Sequence, residues 1–127
     1  MFYKKNQSKK LNKQLFFNPT SEYRGTPFWA WNCKMDIEIL DEQIEYLNEM
    51  GFGGFHMHSR TGMAVPYLGE EFMNLVKFCT NKAKSKNMLA YLYDEDRWPS
   101  GTAGGFVTRN PRYRARYIEF SLNKESH

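Results

Sequence analysis

The sequence holds only two cysteines, Cys33 and Cys79. Two cysteines at this separation match neither a disulfide framework nor a metal ribbon, so they read as free thiols in a reducing compartment. No run approaches the ~18 consecutive apolar residues of a membrane span. The amino terminus starts positive, but Leu15-Phe16-Phe17 is too short for the apolar core of a secretion signal. The expectation is therefore a cytoplasmic protein with no membrane partner. No Ser-His-Asp or Cys-His signature is present, so nucleophilic acyl transfer has no support. There are no internal repeats, and low complexity is confined to a Lys-rich start.

What the chain does have is aromatic weight. Three Trp, eight Tyr and ten Phe in 127 residues argue for a packed core and against disorder. Charge is uneven. Residues 1–14 carry five Lys and no acid, the stretch 27–105 is net negative, and residues 106–127 are again net positive. The overall charge of +4 thus comes from the two ends. A basic stripe across a folded face is the mark of a nucleic-acid binder, and this acidic centre lacks one, so no nucleic-acid partner is expected.

The pattern along the chain alternates strand and helix. Residues 1–25 read as a Lys-rich arm and lead-in, with Asn18-Pro19-Thr20-Ser21 as a turn signal. Pro27 to Asn32 is short, aromatic and Pro-bounded, a first buried strand. Asp36 can cap a helix over 36–50, where Ile37, Leu40, Ile44 and Leu47 share one face and Gly51 stops the run. Gly53 to His58 reads as a second strand. A helix from about Glu70 shows Phe72, Leu75, Val76, Cys79 and Ala83 on one stripe, with acids in its first turn and lysines in its last. Asn87 ends it, and Met88 to Tyr93 is apolar enough for a parallel strand covered on both faces. Arg116 to Leu122 alternates and is expected to form a fourth strand. The helix-to-strand links are short and the strand-to-helix loops long. In β/α folds those longer loops, at the carboxyl end of the sheet, build the site.

The unusual residues sit in those loops. Asp94-Glu95-Asp96-Arg97-Trp98-Pro99-Ser100-Gly101 follows a buried strand. Its carboxylates can accept hydrogen bonds from sugar hydroxyls, ligate a hard cation or do acid/base work, and a Trp offers a flat face for a sugar ring. A solvated acidic loop explains the same composition equally well. Trp29 and Trp31 share a face of the first strand. Core packing is the default for both, but Trp31, nearer the strand end, is a candidate for the pocket. His56 and His58 share a face of the second strand. Two imidazoles alone rarely make a metal site, and the other His is His127. No metal is assigned; His58 is read as a polar contact at the strand end and His56 as filling. Gly51-Phe52-Gly53-Gly54 precedes a strand, whereas a dinucleotide loop follows one, so it reads as a helix stop and a tight strand entry.

Three segments together carry a resemblance: Phe28-Trp29-Ala30-Trp31-Asn32; then Gly53-Gly54-Phe55 through His58-Ser59-Arg60-Thr61-Gly62 with Pro66-Tyr67-Leu68; then Tyr93 through Gly105. In order and separation, over about residues 26–117, they resemble the N-terminal part of glycoside hydrolase family 106, the TIM-barrel alpha-L-rhamnosidases. The resemblance implies an α/β fold, a partial (β/α)8 barrel of three to four units with parallel strands. It implies a carbohydrate substrate, hydrolysis of terminal alpha-L-rhamnosides, and room for a bound calcium. By this likeness His58, Arg60, Tyr67, Asp94, Asp96 and Trp98 line the sugar-binding mouth, with Trp31 added from the strand pattern. No catalytic acid or base is carried over, because those are expected on later strands.

A TIM barrel takes eight strands and about 250 residues. Residues 26–127 are therefore expected to be an incomplete N-terminal portion of a catalytic domain, inactive alone, and either a truncated gene product or half of a split enzyme completed by a second chain. Two alternatives differ in class: a small carbohydrate-binding module, and a fragment of a metal-dependent hydrolase barrel using His56 and His58.

Overall fold

A computed structural model of the chain describes residue 3, residues 5–10 and residues 12–120. A short helix α1 (Lys13–Phe17) and a 3₁₀ turn (Ser21–Tyr23) lead into strand β1 (Phe28–Trp31). Helix α2 (Ile37–Glu49), strand β2 (Gly54–Ser59), helix α3 (Glu70–Ser85) and strand β3 (Leu89–Leu92) follow. The three strands form one sheet in the order β1-β2-β3, and both pairings are parallel. The alternation read from the sequence is thus the alternation observed, with each boundary within a residue or two.

The helices cover one face of the sheet. Leu40 and Ile44 of α2 are buried, as are Phe72, Leu75, Cys79 and Ala83 of α3. From the sheet side come Trp31, Phe55 and Met57, all at most 2% exposed. Each such side chain contributes roughly 1.5–3 kcal/mol when fully buried. Trp29 meets Phe55 of β2 edge-on, and Trp31 meets Phe72 of α3 likewise, so the second contact ties the first strand to the helical layer. Ile37, the first residue of the expected apolar stripe, is 48% exposed, because it opens its helix beyond the reach of the sheet. Asp36 precedes α2, but its carboxylate pairs with Lys34 at 2.9 Å rather than capping the helix. Across the helices, Lys82 pairs with Asp41 and Glu45, and Lys86 with Glu45.

The turns follow the backbone geometry that the sequence requires. Gly51 ends α2 at φ +85° and Asn87 follows α3 at φ +54°, both in the left-handed region. A Cβ on Gly53 would stand 1.9 Å from the Ser21 carbonyl oxygen, and one on Gly54 2.2 Å from that of Leu89. The glycine run is a close-approach device at the amino end of the sheet. The lead-in is tied there too: the Tyr3 hydroxyl donates to Glu22 at 2.6 Å, and the Ser21 hydroxyl to the Asn87 carbonyl.

Two expectations are corrected. Residues 116–120 form no strand, and Tyr117, Ile118 and Phe120 are 86–99% exposed, because no strand among the described residues lies beside them to pair with. The rest of that expected strand, Ser121 and Leu122, lies outside the described residues. β3 is not covered on both faces either. Tyr91 and Leu92 are 37% and 41% exposed, since β3 is the edge of the sheet among the described residues. The result is a mixed α/β fold with a three-stranded parallel sheet.

Candidate functional site

The strands are parallel, so the segments that leave β1, β2 and β3 emerge at one end and meet there. The backbone of the second lies on that of the first. The Arg60 amide donates to the Trp31 carbonyl at 3.0 Å and the Ala64 amide to the Cys33 carbonyl at 3.2 Å. Gly62 makes this approach possible, for a Cβ there would stand 2.5 Å from the Asn32 carbonyl oxygen. The third loop lies on the second. The Ser59 hydroxyl donates to Asp96 Oδ1 at 2.6 Å, and the Arg97 amide to the Ser59 carbonyl at 3.1 Å. Arg60 Nη1 donates to the Trp98 carbonyl at 3.2 Å. Tyr67 donates its hydroxyl to the Asp94 carbonyl at 3.0 Å, and its ring lies under Gly104.

Within the third loop the carboxylates have separate tasks. Glu95 Oε1 accepts the Ser100 and Gly101 amides, and these bonds hold its carboxyl below the ordinary range. It therefore stays ionised and braces its own loop. Asp96 is 1% exposed and also takes Arg97 Nη1 on Oδ2 at 3.1 Å. Arg97 holds φ +53°, a conformation an L side chain adopts only at a cost. The Trp98–Pro99 bond is cis. Beyond it the Trp98 ring is 54% exposed.

The sheet face turned away from the helices is aromatic. His56 stacks on Tyr91 with ring centroids 4.6 Å apart. Its Nδ1 lies 3.1 Å from the Thr26 carbonyl; a carbonyl can only accept, so Nδ1 carries the proton. His58 lies between Phe28 and Tyr93, with centroids at 5.5 and 4.1 Å, and is 7% exposed. Its Nε2 is buried without a partner among the described residues. Burial first, then the charge of Arg60, lowers the His58 pKa below its ordinary value, with Glu95 pulling the other way. The ring is neutral around pH 7. Burial, followed by Asp96, Asp94 and Glu95, raises the Tyr67 pKa, so its hydroxyl keeps the proton it donates.

The residues expected at the mouth divide accordingly. Arg60, Asp94 and Trp98 reach the surface of the joined loops, with His58 just below them on the open sheet face. Tyr67 and Asp96 brace the loops from beneath, Tyr67 being 8% exposed. Trp31 is a correction. At 1% exposure against Phe72 it belongs to the core, because its position in the strand alternation points it at α3. Ser59 and Gly104 were given no role from the sequence. Their importance lies in contacts between loops, which no local pattern reveals.

A calcium ion does not fit this arrangement. The Glu95 oxygen is folded back on its own loop and both Asp96 oxygens are engaged, so the three carboxylates do not converge. Among the described residues no three His, Cys, Asp or Glu side chains come together as a metal site, beside His56 and His58 or elsewhere.

No protein-family model matches the chain, and no curated protein matches it. Among solved structures it is similar to a rhamnosidase from Novosphingobium sp. PP1Y, with a TM-score of 0.53 and 17% sequence identity. The likeness is one of fold. It covers 67% of this chain and 9% of that chain, so the matched residues correspond to a small part of the larger protein. None of the helices among the described residues is long and apolar enough to cross a membrane.

Proposed function

We propose that this chain forms part of the sugar-binding rim of a glycoside hydrolase barrel of the alpha-L-rhamnosidase type. The observation that carries the reading is the joining of the loops after β2 and β3 by Ser59–Asp96, Arg60–Trp98 and Tyr67–Asp94. That joining presents an open indole, a guanidinium and an exposed carboxylate at the carboxyl end of a parallel sheet, where β/α barrels bind their substrates. The fold likeness to a rhamnosidase supports it. In this reading Trp98 lies against the apolar face of a sugar ring, Arg60 donates to ring hydroxyls and Asp94 accepts from them.

Hydrolysis of a glycosidic bond ordinarily takes two carboxylates on either side of the scissile bond. Asp94, Glu95 and Asp96 lie on one loop and supply at most one side. Turnover in this proposal therefore needs further strands of the barrel, beyond these residues or on a second chain, pairing with β3 along its free edge. The test is a titration of the whole chain with L-rhamnose, followed by tryptophan fluorescence, beside an assay with an aryl alpha-L-rhamnoside. Weak saturable quenching that disappears in Trp98→Ala, with no aryl release, is expected. Quenching that persists in Trp98→Ala, or no quenching at all, sinks the rim; aryl release by the chain alone sinks its dependence on further strands.

A further inference from the structure

The opposite end of the sheet, away from the rim, holds an open-sided cavity of about 860 Å³ beside β3 and α3. Met88, Leu89 and Ala90 give it an apolar wall, and Arg24 and Lys84 place two cations on its lining. Neither cation belongs to an ion pair among the described residues, whereas Lys82 and Lys86, on the same helical segment, are both neutralised by acids of α2. Arg24 is held in place: Nη2 donates to the Ser21 hydroxyl at 2.7 Å, and that hydroxyl donates to the Asn87 carbonyl. Its Nε is buried and has no partner among the described residues. A guanidinium fixed in this way, partly desolvated and without a counter-charge, is an incomplete group.

Three hydroxyls around the cavity are already committed, while Thr20 and Asn87 also line it. Tyr3 donates to Glu22, Ser21 to Asn87 and Thr80 to the Val76 carbonyl. The Glu22 carboxylate, bonded to the Tyr3 hydroxyl, is itself answered by the Asn6 amide at 2.6 Å. What the lining offers is two cations beside an apolar wall, with Thr20 and Asn87 as further polar groups, which suits an anion with an apolar body better than a neutral sugar.

We propose that this cavity binds a small amphipathic anion, a phosphate or carboxylate carried on an apolar group, with Arg24 and Lys84 holding the charge. The site is separate from the rim and stands or falls independently of the sugar reading. Phenyl phosphate and benzoate are the probes, titrated into the whole chain and followed by amide shifts in NMR, with benzyl alcohol as the neutral control. Expected are saturable shifts at Arg24, Lys84 and Leu89 that weaken with added salt. The stronger response to phenyl phosphate or to benzoate then distinguishes phosphate from carboxylate. Arg24→Met should weaken binding roughly tenfold, because a charge-assisted bond is lost. Lys84→Met, on an exposed helix surface, tests the same charge without risk to the fold. No saturable shift, equal response to benzyl alcohol, or unchanged affinity in Lys84→Met with Arg24→Met folded and equally tight, overturns the proposal.

Discussion

The Ser59 hydroxyl donates to the Asp96 carboxylate at 2.6 Å, across the gap between the ends of β2 and β3. Both groups are about 1% exposed, so the bond is made away from water. Ser59→Ala should leave the carboxylate short of a donor and cost roughly 1–3 kcal/mol, the desolvation penalty of a buried group left unpaired. Asp96→Asn should cost less in the Ser59→Ala background than in the wild type, since the two share one bond. Urea unfolding of the four proteins measures this; strictly additive losses would show that the bond couples nothing.

Trp31 and Trp98 should behave in opposite ways. Trp31→Ala empties a core position against Phe72 and should cost about 3–5 kcal/mol. Trp98→Ala removes a half-exposed ring and should change stability by less than about 0.5 kcal/mol. Denaturant midpoints of the two variants check the assignment of one to the core and the other to the rim.

These two tryptophans also mark how far the sequence could be read. The β-α-β-α-β order was legible because each helix carries a stripe, Leu40 and Ile44 or Phe72 to Ala83, and each strand run is bounded by a Gly, Pro or Asn. Alternation put Trp29 and Trp31 on one side but could not say which side the helices cover, so Trp31 was a candidate for the pocket. The division of labour among Asp94, Glu95 and Asp96 was hidden for another reason. It depends on Ser59, brought to Asp96 from another strand by the fold, and on a turn of the loop itself that returns the Ser100 and Gly101 amides to Glu95. The alternation at 116–120 was misleading because a strand needs a partner to pair with, and pairing is not a local property.

The lowered pKa of His58 has a stability consequence whose sign can be worked out. The folded state disfavours the imidazolium, so near and below the ordinary value of 6.5 the unfolded chain binds more protons. Stability from this group is complete above that value and is lost as pH falls from it toward the lower folded-state value. His58→Gln should flatten the slope in that window. Thermal melts of both proteins across roughly pH 5 to 8, where few other groups titrate, provide the check; an equal slope in the variant would assign it elsewhere.

Glu22 runs the other way. Burial opposes its ionisation, but the Asn6 amide and the Tyr3 hydroxyl outweigh burial and bring the carboxyl from 4.5 to about 2. The tie between Tyr3 and the lead-in is therefore complete above pH 4.5 and is withdrawn as pH falls toward about 2. Glu22→Gln should speed exchange of the Asn6 amide at neutral pH while leaving the β2 amides protected. Protection of Asn6 that is indifferent to the substitution would mean that the bond does not hold the segment.

Gly62 offers a test of the rim that touches no ligand group. It sits at φ +102°, and an added Cβ would stand 2.5 Å from the Asn32 carbonyl oxygen, a backbone atom with little room to move. Gly62→Ala must therefore strain the left-handed turn and push apart the loops after β1 and β2, with a cost above ~1 kcal/mol. Because Arg60 lies two residues away and reaches the Trp98 carbonyl, that displacement should pass to the third loop. The measurable outcome is a fall in rhamnose affinity in Gly62→Ala, with all proposed contact residues intact. Gly105→Ala serves as the control: its φ is +88°, but nothing stands within 4 Å of the new methyl, so it carries the backbone strain without the collision. Equal losses in the two variants would trace the effect to glycine strain alone and remove the argument that close loop packing shapes the rim.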